Sequence, residues 1–360
     1  MKVAILTQPL KSNYGGILQN YALQQAIRNI GHSPVTLNIK FDHYSYFRWF
    51  LSFGYFCLLR LLGKHCSFPT LPKEQKRIDG ICSPFINKYI VTTKEYFHLP
   101  YDTVKSESLE AIVVGSDQVW RPKYNKRIED LFLQFAENDD VIRMSYAASF
   151  GTDQWEYSEN QQKDCKNLLQ LFDAVSVREN SGVELCSQFF GVDAKLVVDP
   201  TMLIEPSCYK ELCSSIPAPE TKFIFTYFFS ENGPKKKFVE RISKTYGLPV
   251  VSIDISDKTK TVSVEQWLAY IRDAEFVITD SYHGTLFSTY FEKNFVSIKH
   301  SSRGNTRFDT LEMQLGINSI FTEIQIENLN EIPRHDTVIT KEEQLRAEGL
   351  QFLKMHLKKR

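Results

Sequence analysis

Two α/β domains in tandem are what this sequence predicts, and three observations predict them. Short, continuously apolar runs of strand length alternate with helical periodicity along nearly the whole chain. The runs stop at glycine or polar turn residues, as parallel strands do when helices cover both faces of the sheet. The alternation breaks once, where Pro206, Pro217 and Pro219 interrupt it, and then restarts. A chain of 360 residues has room for two cores at about 100–200 residues per domain. The expected division is 1–205, 206–340 and a closing helix over 341–360.

The elements follow in order. Val3-Ala4-Ile5-Leu6 reads as a strand that ends in the turn Ser12-Asn13-Tyr14-Gly15-Gly16. Ile17, Leu18, Tyr21, Ala22, Ala26, Ile27 and Ile30 then recur at helical spacing, and Gly31 is placed to stop that helix. Val35–Ile39 is the second strand, completing a β-turn-α-β opening. Further strands are expected at 111–114, 143–148, 174–177 and 195–198, with a helix after Arg178 capped by Asn180 or Ser181. Beyond the break, strands are expected at 223–228, 249–253, 276–278 and 295–298, separated by helices. From Lys341 an amphipathic helix carries Leu345, Phe352, Leu353 and Leu357 on one side. Its acidic start and basic end suit the helix dipole.

Composition narrows the function. There are 43 Lys plus Arg and 43 Asp plus Glu, so the net charge is zero, which argues against a nucleic-acid partner. The seven cysteines include no C-x-x-C pair, and no Cys/His cluster has zinc spacing, so no metal is expected. The opening apolar run is too short for a signal peptide, which points to a cytoplasmic protein with reduced thiols. P-loop, G-x-G-x-x-G and G-x-S-x-G patterns are absent. That disfavours P-loop phosphotransfer, dinucleotide chemistry and hydrolase chemistry.

In open α/β sheets ligands sit beyond the carboxyl ends of the strands. Those positions here hold Asn13, Tyr14, Ser116, Asp117, Gln118, Arg178, Asp199, Asp280, Ser281, His283 and Lys299. Asn, Asp and Ser there also serve as ordinary caps and turn residues. Arg178, His283 and Lys299 are not turn formers. His283 precedes Gly284-Thr285 at an expected helix start, where free N–H groups favour anions and an imidazole can exchange a proton near neutral pH. Between Lys293 and Phe308 stand Lys293, Lys299, His300, Arg303 and Arg307 with no acid. Asn305 and Thr306 make this segment read as a loop, either solvated or clamping a phosphate or carboxylate.

Taken together, several stretches resemble polysaccharide pyruvyl transferase family proteins. They are Ser12 to Gln24, Val114-Gly115-Ser116-Asp117-Gln118-Val119-Trp120, Ser145 to Gly151, Val177-Arg178-Glu179, Val198-Asp199-Pro200-Thr201 and Thr279 to Thr285. They occur in the family's order, and the resemblance spans residues 1 to about 317. It implies two Rossmann-like domains of the GT-B type with the active site in the cleft between them. It also implies transfer of the pyruvyl group of phosphoenolpyruvate to a sugar as a cyclic ketal, releasing phosphate. His283 falls on the family's catalytic histidine, Arg178 on an arginine for the pyruvyl carboxylate, and Lys299 near a functional lysine. Several members carry Arg where this chain has Ser281, so Arg303 or Arg307 would have to supply that cation.

Ketal formation needs an acid for the methylene carbon, a base for the sugar hydroxyl and cations for the donor's anionic groups. The expected roles are His283 as acid, with Ser281, Gly284 and Thr285 at the phosphate. Arg178 with Lys299, Arg303 or Arg307 would hold the donor, and Asn13, Tyr14, Ser116, Asp117 and Gln118 would face the acceptor. The scheme uses phosphoenolpyruvate as substrate and no cofactor. The acceptor would be a sugar of an exopolysaccharide or capsule, or its lipid-linked precursor. Two other readings stand beside it: a GT-B glycosyltransferase using a nucleotide-sugar, and a catalytically idle member that binds a glycan or partner enzyme. Oligomeric state is left open, a homo-oligomer included.

The segment 44–90 reads as an insertion. Phe47 to Leu62 crowds eleven large apolar residues together with Arg48 and Arg60, too short and too charged to span a membrane. Residues 40–77 hold seven Lys or Arg against two acids. An apolar helix in such a segment suits a membrane interface, on the inner face for a cytoplasmic protein. The alternative is a helix buried against its own domain or a dimer partner.

Overall fold

The computed structural model describes residues 1–40, 46–63, 68–229, 231–255, 257, 261–299, 305–334 and 339–358. The first sheet is built from β1 (Lys2–Leu6), β2 (Ser33–Ile39), β3 (Thr92–Tyr96), β4 (Ala111–Val114) and β5 (Ile142–Ser145). All run parallel in the order β3-β2-β1-β4-β5. Two short parallel strands, β6 (Ser176–Val177) and β7 (Lys195–Leu196), continue it through the bridges Met144–Ala174 and Ala148–Val177. The second sheet comprises β8 (Ile224–Phe228), β9 (Val250–Asp254), β10 (Phe276–Thr279), β11 (Asn294–Lys299) and β12 (Ile320–Thr322), in the parallel order β12-β11-β10-β8-β9. These are two Rossmann-like units of the GT-B type.

Each sheet winds outward in both directions from a central pair, β1 and β4 in the first and β8 and β10 in the second. The crevice beyond each pair's carboxyl ends is where a doubly wound sheet leaves space for a ligand. Val3, Ala4, Ile5, Val113, Val277 and Ile278 are fully buried, which explains why these strands read as continuous apolar runs.

Several expectations are revised. β3, the edge strand Thr-Thr-Lys-Glu-Tyr, and β12, only three residues long, carry too little apolar signal to be anticipated. The stretch 143–148 stops being strand after Ser145, and Ala147 takes a positive φ of 51°. Pro206 opens the helix Pro206–Leu212, in the first turn where its missing N–H costs nothing. The helix Asn180–Leu185 begins after Glu179, whose side chain does not cap it and turns elsewhere. Thr306–Leu315 is a helix preceded by Asn305, so Arg307 sits on a helix and not in a loop. The helix Tyr46–Leu61 has no buried residue, which removes burial against its own domain as its explanation.

The helix Ile339–His356 returns to the first unit. Leu353 and Leu357 are buried, Gly349 lies against Tyr146 and Leu203, and Arg346 Nε donates to the Met202 carbonyl. Its closing turn is tied to the start of the chain where His32 Nε2 meets the Leu357 carbonyl at 2.9 Å.

Candidate active site

The helix Tyr14–Asn29 follows β1, and its first turn is where the two units meet. Tyr14 is buried and locked across the junction. Its hydroxyl donates to the Val262 carbonyl and accepts from the Val262 N–H, both at 3.0 Å, and its ring stacks on Trp267 at 5.2 Å. Gly15 presses against His283 so closely that a Cβ there would overlap the imidazole. A glycine is required at this contact for space alone. The first unit thus sets the position of a histidine carried by the second.

His283 lies in the first turn of the helix Tyr282–Tyr290 after β10. Its Nε2 has no hydrogen-bond partner and stands 3.6 Å from Asp199 Oδ2, an ion-pair distance too long for a hydrogen bond. Asp199, at the start of the Pro200–Met202 turn, gathers the cluster. One carboxylate oxygen accepts from Arg178 Nη1 at 2.7 Å and from Gln19 Nε2; the other accepts from the Thr201 N–H and hydroxyl. Burial alone would raise its pKa. His283 and Arg178 outweigh that and hold the carboxyl well below its usual range. The stability this provides is present above the ordinary carboxyl pKa of about 3.9 and is lost only as pH falls below it.

Arg178 is fully buried, with its guanidinium 4.7 Å over the Tyr282 ring and Nη2 3.9 Å from Asp117 Oδ1. Its Nε and Nη2 make no hydrogen bond. From the helix Thr306–Leu315, Arg307 reaches the same ring at 5.9 Å, and its buried Nε is also unpaired. Burial, and then the neighbouring Arg178, push the Arg307 pKa down. The nearby acids stop short of hydrogen bonds to these donors: Asp117 Oδ1 stays 3.9 Å from Arg178 Nη2, and Glu179 Oε2 is buried and itself without a hydrogen-bond partner. Glu179 Oε1 accepts from the Ser149 hydroxyl and from the Phe150 and Gly151 N–H groups. Unpaired buried N–H groups each cost about 1–3 kcal/mol, so their convergence is a feature the packing of the fold does not account for.

The other anticipated residues are distributed differently. Ser281 Oγ accepts from Gly284 N at 3.2 Å and so caps its own helix. Gly284 packs on Thr279, where a Cβ would clash, and Thr285 is buried between the Ser281 carbonyl and Ser297 Oγ. Lys299 pairs with Asp309 and Glu312, both at 2.6 Å, rather than with the Arg178–His283 cluster. Although burial opposes it, these two carboxylates raise the Lys299 pKa. Arg303 lies outside the described residues.

Asn13 is exposed and donates to Asp117 Oδ2 at 3.1 Å. Ser116 is buried between Gln19 and the Ala147 carbonyl, and Gln118 accepts from Arg121 and packs on Gly151. Asp199, Gln19, Gly15 and Tyr282 received no role from the sequence. All four lie inside the motif stretches, which was the available signal. Among the described residues no group of His, Cys, Asp and Glu is arranged to hold a metal ion.

Two further cavities are lined by none of Arg178, Asp199, His283 or Arg307. One of about 800 Å³ lies at the ends of β1, β2 and β3, lined by Lys11, Lys40, Lys73, Lys76, Tyr46 and Phe97 among others. A smaller one, about 230 Å³, opens between the units, with Lys11, Ser12 and Tyr14 on one side and Ile253, Asp254, Ile255 and Thr261 on the other.

A family model described as polysaccharide pyruvyl transferase matches residues 13–302. The chain belongs to the polysaccharide pyruvyl transferase family. A search of curated proteins returned no match. Solved structures with the same fold include UDP-N-acetylglucosamine 2-epimerase from Rickettsia bellii, with a TM-score of 0.54 at 8% identity, covering 99% of this chain and 95% of that one. The UDP-GlcNAc 2-epimerase of Methanocaldococcus jannaschii has a TM-score of 0.50 at 11% identity, covering 97% and 99%. At these identities the likeness concerns the fold, so within this transferase family the choice of donor and acceptor rests on the residues in the cleft.

Proposed function

We propose that this protein transfers the pyruvyl group of phosphoenolpyruvate to two hydroxyls of a sugar, forming a cyclic ketal and releasing inorganic phosphate. The observation that carries this reading is the convergence of Arg178, Arg307 and His283 on one ring and one carboxylate at the junction of the units. At least one N–H or imidazole nitrogen of each is unpaired. Phosphoenolpyruvate carries a carboxylate carbon and a phosphorus three bonds apart, which suits two arginines set side by side. Arg307 supplies the second cation that Ser281, engaged as a helix cap, does not.

In this scheme the His283 imidazolium gives its proton to the methylene carbon, and positive charge develops at C2. A sugar hydroxyl bonds to C2 as its proton passes to a base. The C2–O bond to phosphate breaks, and a second hydroxyl closes the ketal as its own proton leaves with the phosphate. Asp199, held ionised, stabilises the imidazolium before transfer. Arg178 and Arg307 balance the donor's negative charges, and the Tyr282 face fixes both guanidinium planes. The acceptor enters from the lysine-lined cavity and the smaller opening beside Tyr14, which adjoin through Lys11.

The test is to incubate the protein with phosphoenolpyruvate and a panel of glycosides, and to assay phosphate release and the ketal product. Nucleotide-sugars in place of phosphoenolpyruvate form the control arm. His283→Ala is expected to lower turnover by about 10²–10⁴-fold with an unchanged melting temperature. Undiminished turnover in that variant, or turnover of nucleotide-sugars alone, would overturn the reading.

A further inference from the structure

The helix Tyr46–Leu61 is not used by the chemistry above, and its surface is unusual. Its inner face is occupied: Trp49 stacks on Phe53 at 5.3 Å, Phe53 and Phe56 meet Phe68 edge-on, and Trp49 Nε1 donates to the Pro69 carbonyl. The opposite face carries Phe47, Phe50, Leu51, Tyr55, Leu58 and Leu61, each more than half exposed. At 100° per residue these six fall within one stripe containing no charged residue. Between Tyr46 and Lys73 the chain has Arg48, Arg60, Lys64 and Lys73 and no Asp or Glu. The Arg60 guanidinium lies over the Phe56 ring at 5.6 Å, beside the stripe.

We propose that this helix docks the protein on an anionic lipid bilayer, lying in the plane of the interface with the Phe47–Leu61 stripe among the acyl chains. An outward apolar stripe with basic and no acidic neighbours matches an interface whose depth is apolar and whose surface is negative. Among the described residues no helix is long and apolar enough to cross a membrane, so the contact is peripheral. The helix is about 24 Å long at 1.5 Å per residue, enough to lay the whole stripe on the surface. Tyr46, its first residue, also lines the cavity that holds Lys73 and Lys76, so the docked bilayer faces that cavity's mouth. That an acceptor presented at the membrane enters there rests on the proposed function; the docking does not.

Co-sedimentation with vesicles tests it on the full chain. The protein is expected to pellet with phosphatidylcholine–phosphatidylglycerol vesicles. It should stay largely in solution with phosphatidylcholine alone, and high salt should weaken the binding. F50E/L58E is expected to cut the bound fraction by about tenfold or more without moving the melting temperature, because neither side chain is buried. F47S/L61S, a milder pair, should weaken binding to an intermediate extent. If the wild type ignores both kinds of vesicle, or F50E/L58E pellets as the wild type does, the proposal is overturned. It is equally overturned, in favour of a second copy of this chain, if the wild type ignores vesicles and is a dimer that F50E/L58E splits in analytical ultracentrifugation.

Discussion

Lys235 and Arg178 are both buried cations beside an aspartate near strand ends, one in each half of the molecule, and their surroundings are completed differently. Lys235 Nζ stands 2.6 Å from Asp280 Oδ2 and 3.7 Å from Glu323, while the other Asp280 oxygen accepts from the Phe229 N–H. Every charge there has its counterpart inside the protein. Around Arg178 the carboxylate of Asp199 is shared among Gln19, Thr201 and Arg178, and a second arginine is added where, among the described residues, no acid faces it within ion-pair distance. The closed pair is complete within the fold, whereas the open cluster leaves Arg178 Nε and Nη2 and Arg307 Nε without hydrogen-bond partners. Burial of charge therefore does not by itself identify a site; unfinished pairing does.

The first way to break this comparison is to open the closed pair. Lys235→Met leaves Asp280 buried without its cation, and stranding one member of such a pair costs about 3–5 kcal/mol. That is a large share of a stability of roughly 5–15 kcal/mol. Denaturant unfolding should show the midpoint falling sharply, and any activity lost should follow the unfolded fraction. If Lys235→Met is instead as stable as the wild type, the pair is not what separates the two regions.

A smaller effect is expected from Gly15→Ala. In a helix this exchange is ordinarily favourable by about 0.5–1 kcal/mol, but here the new Cβ takes space held by the His283 ring. A displacement on the order of 1 Å at a reacting group can cost about 10²-fold. The expected result is a fall of that order in kcat with little change in KM for phosphoenolpyruvate. Combining Gly15→Ala with His283→Ala removes the collision, so the double variant should be more stable than His283→Ala alone. Equal melting temperatures there would argue that Gly15 does not set the histidine.

How far the sequence made this arrangement legible follows from the range of the contacts. Strands such as Ala111–Val114 and Phe276–Thr279 are announced by local apolar runs, because a buried parallel strand needs nothing else. His283 was legible from its position at a helix start, a local property. Tyr14 reads from the sequence as a residue facing the acceptor; its partners Val262 and Trp267 lie about 250 residues away and also make it a strut between the units, which no local pattern announces. Asp199 became the centre of the cluster through Gln19, 180 residues before it, and His283 beyond it. The sequence places Arg307 in a loop because Asn305 and Thr306 commonly form turns. The same residue types begin helices, and only the helix carries the guanidinium to Tyr282.

Arg307→Met sharpens the comparison from the open side. Lys235 is a buried cation and Arg307 a half-buried one whose Nε is buried, and methionine keeps much of the length of each while removing the charge. The closed pair should collapse in stability. The open cluster should not, because Arg307 Nε has no partner to lose and its charge is already opposed by burial and by Arg178. Its removal is expected to leave the unfolding midpoint unchanged or slightly raised, the usual relation when a site holds groups ready for a ligand. The cost should appear in binding: one charge-assisted contact to the donor is worth about 1.5–3 kcal/mol, so KM for phosphoenolpyruvate should rise by at least about tenfold. In the wild type, phosphoenolpyruvate should raise the melting temperature by linkage, and in Arg307→Met that shift should shrink. A variant that is destabilised as Lys235→Met is, yet keeps its phosphoenolpyruvate-induced shift, would mean that Arg307 belongs to the fold and that the second cation for the donor must be sought elsewhere.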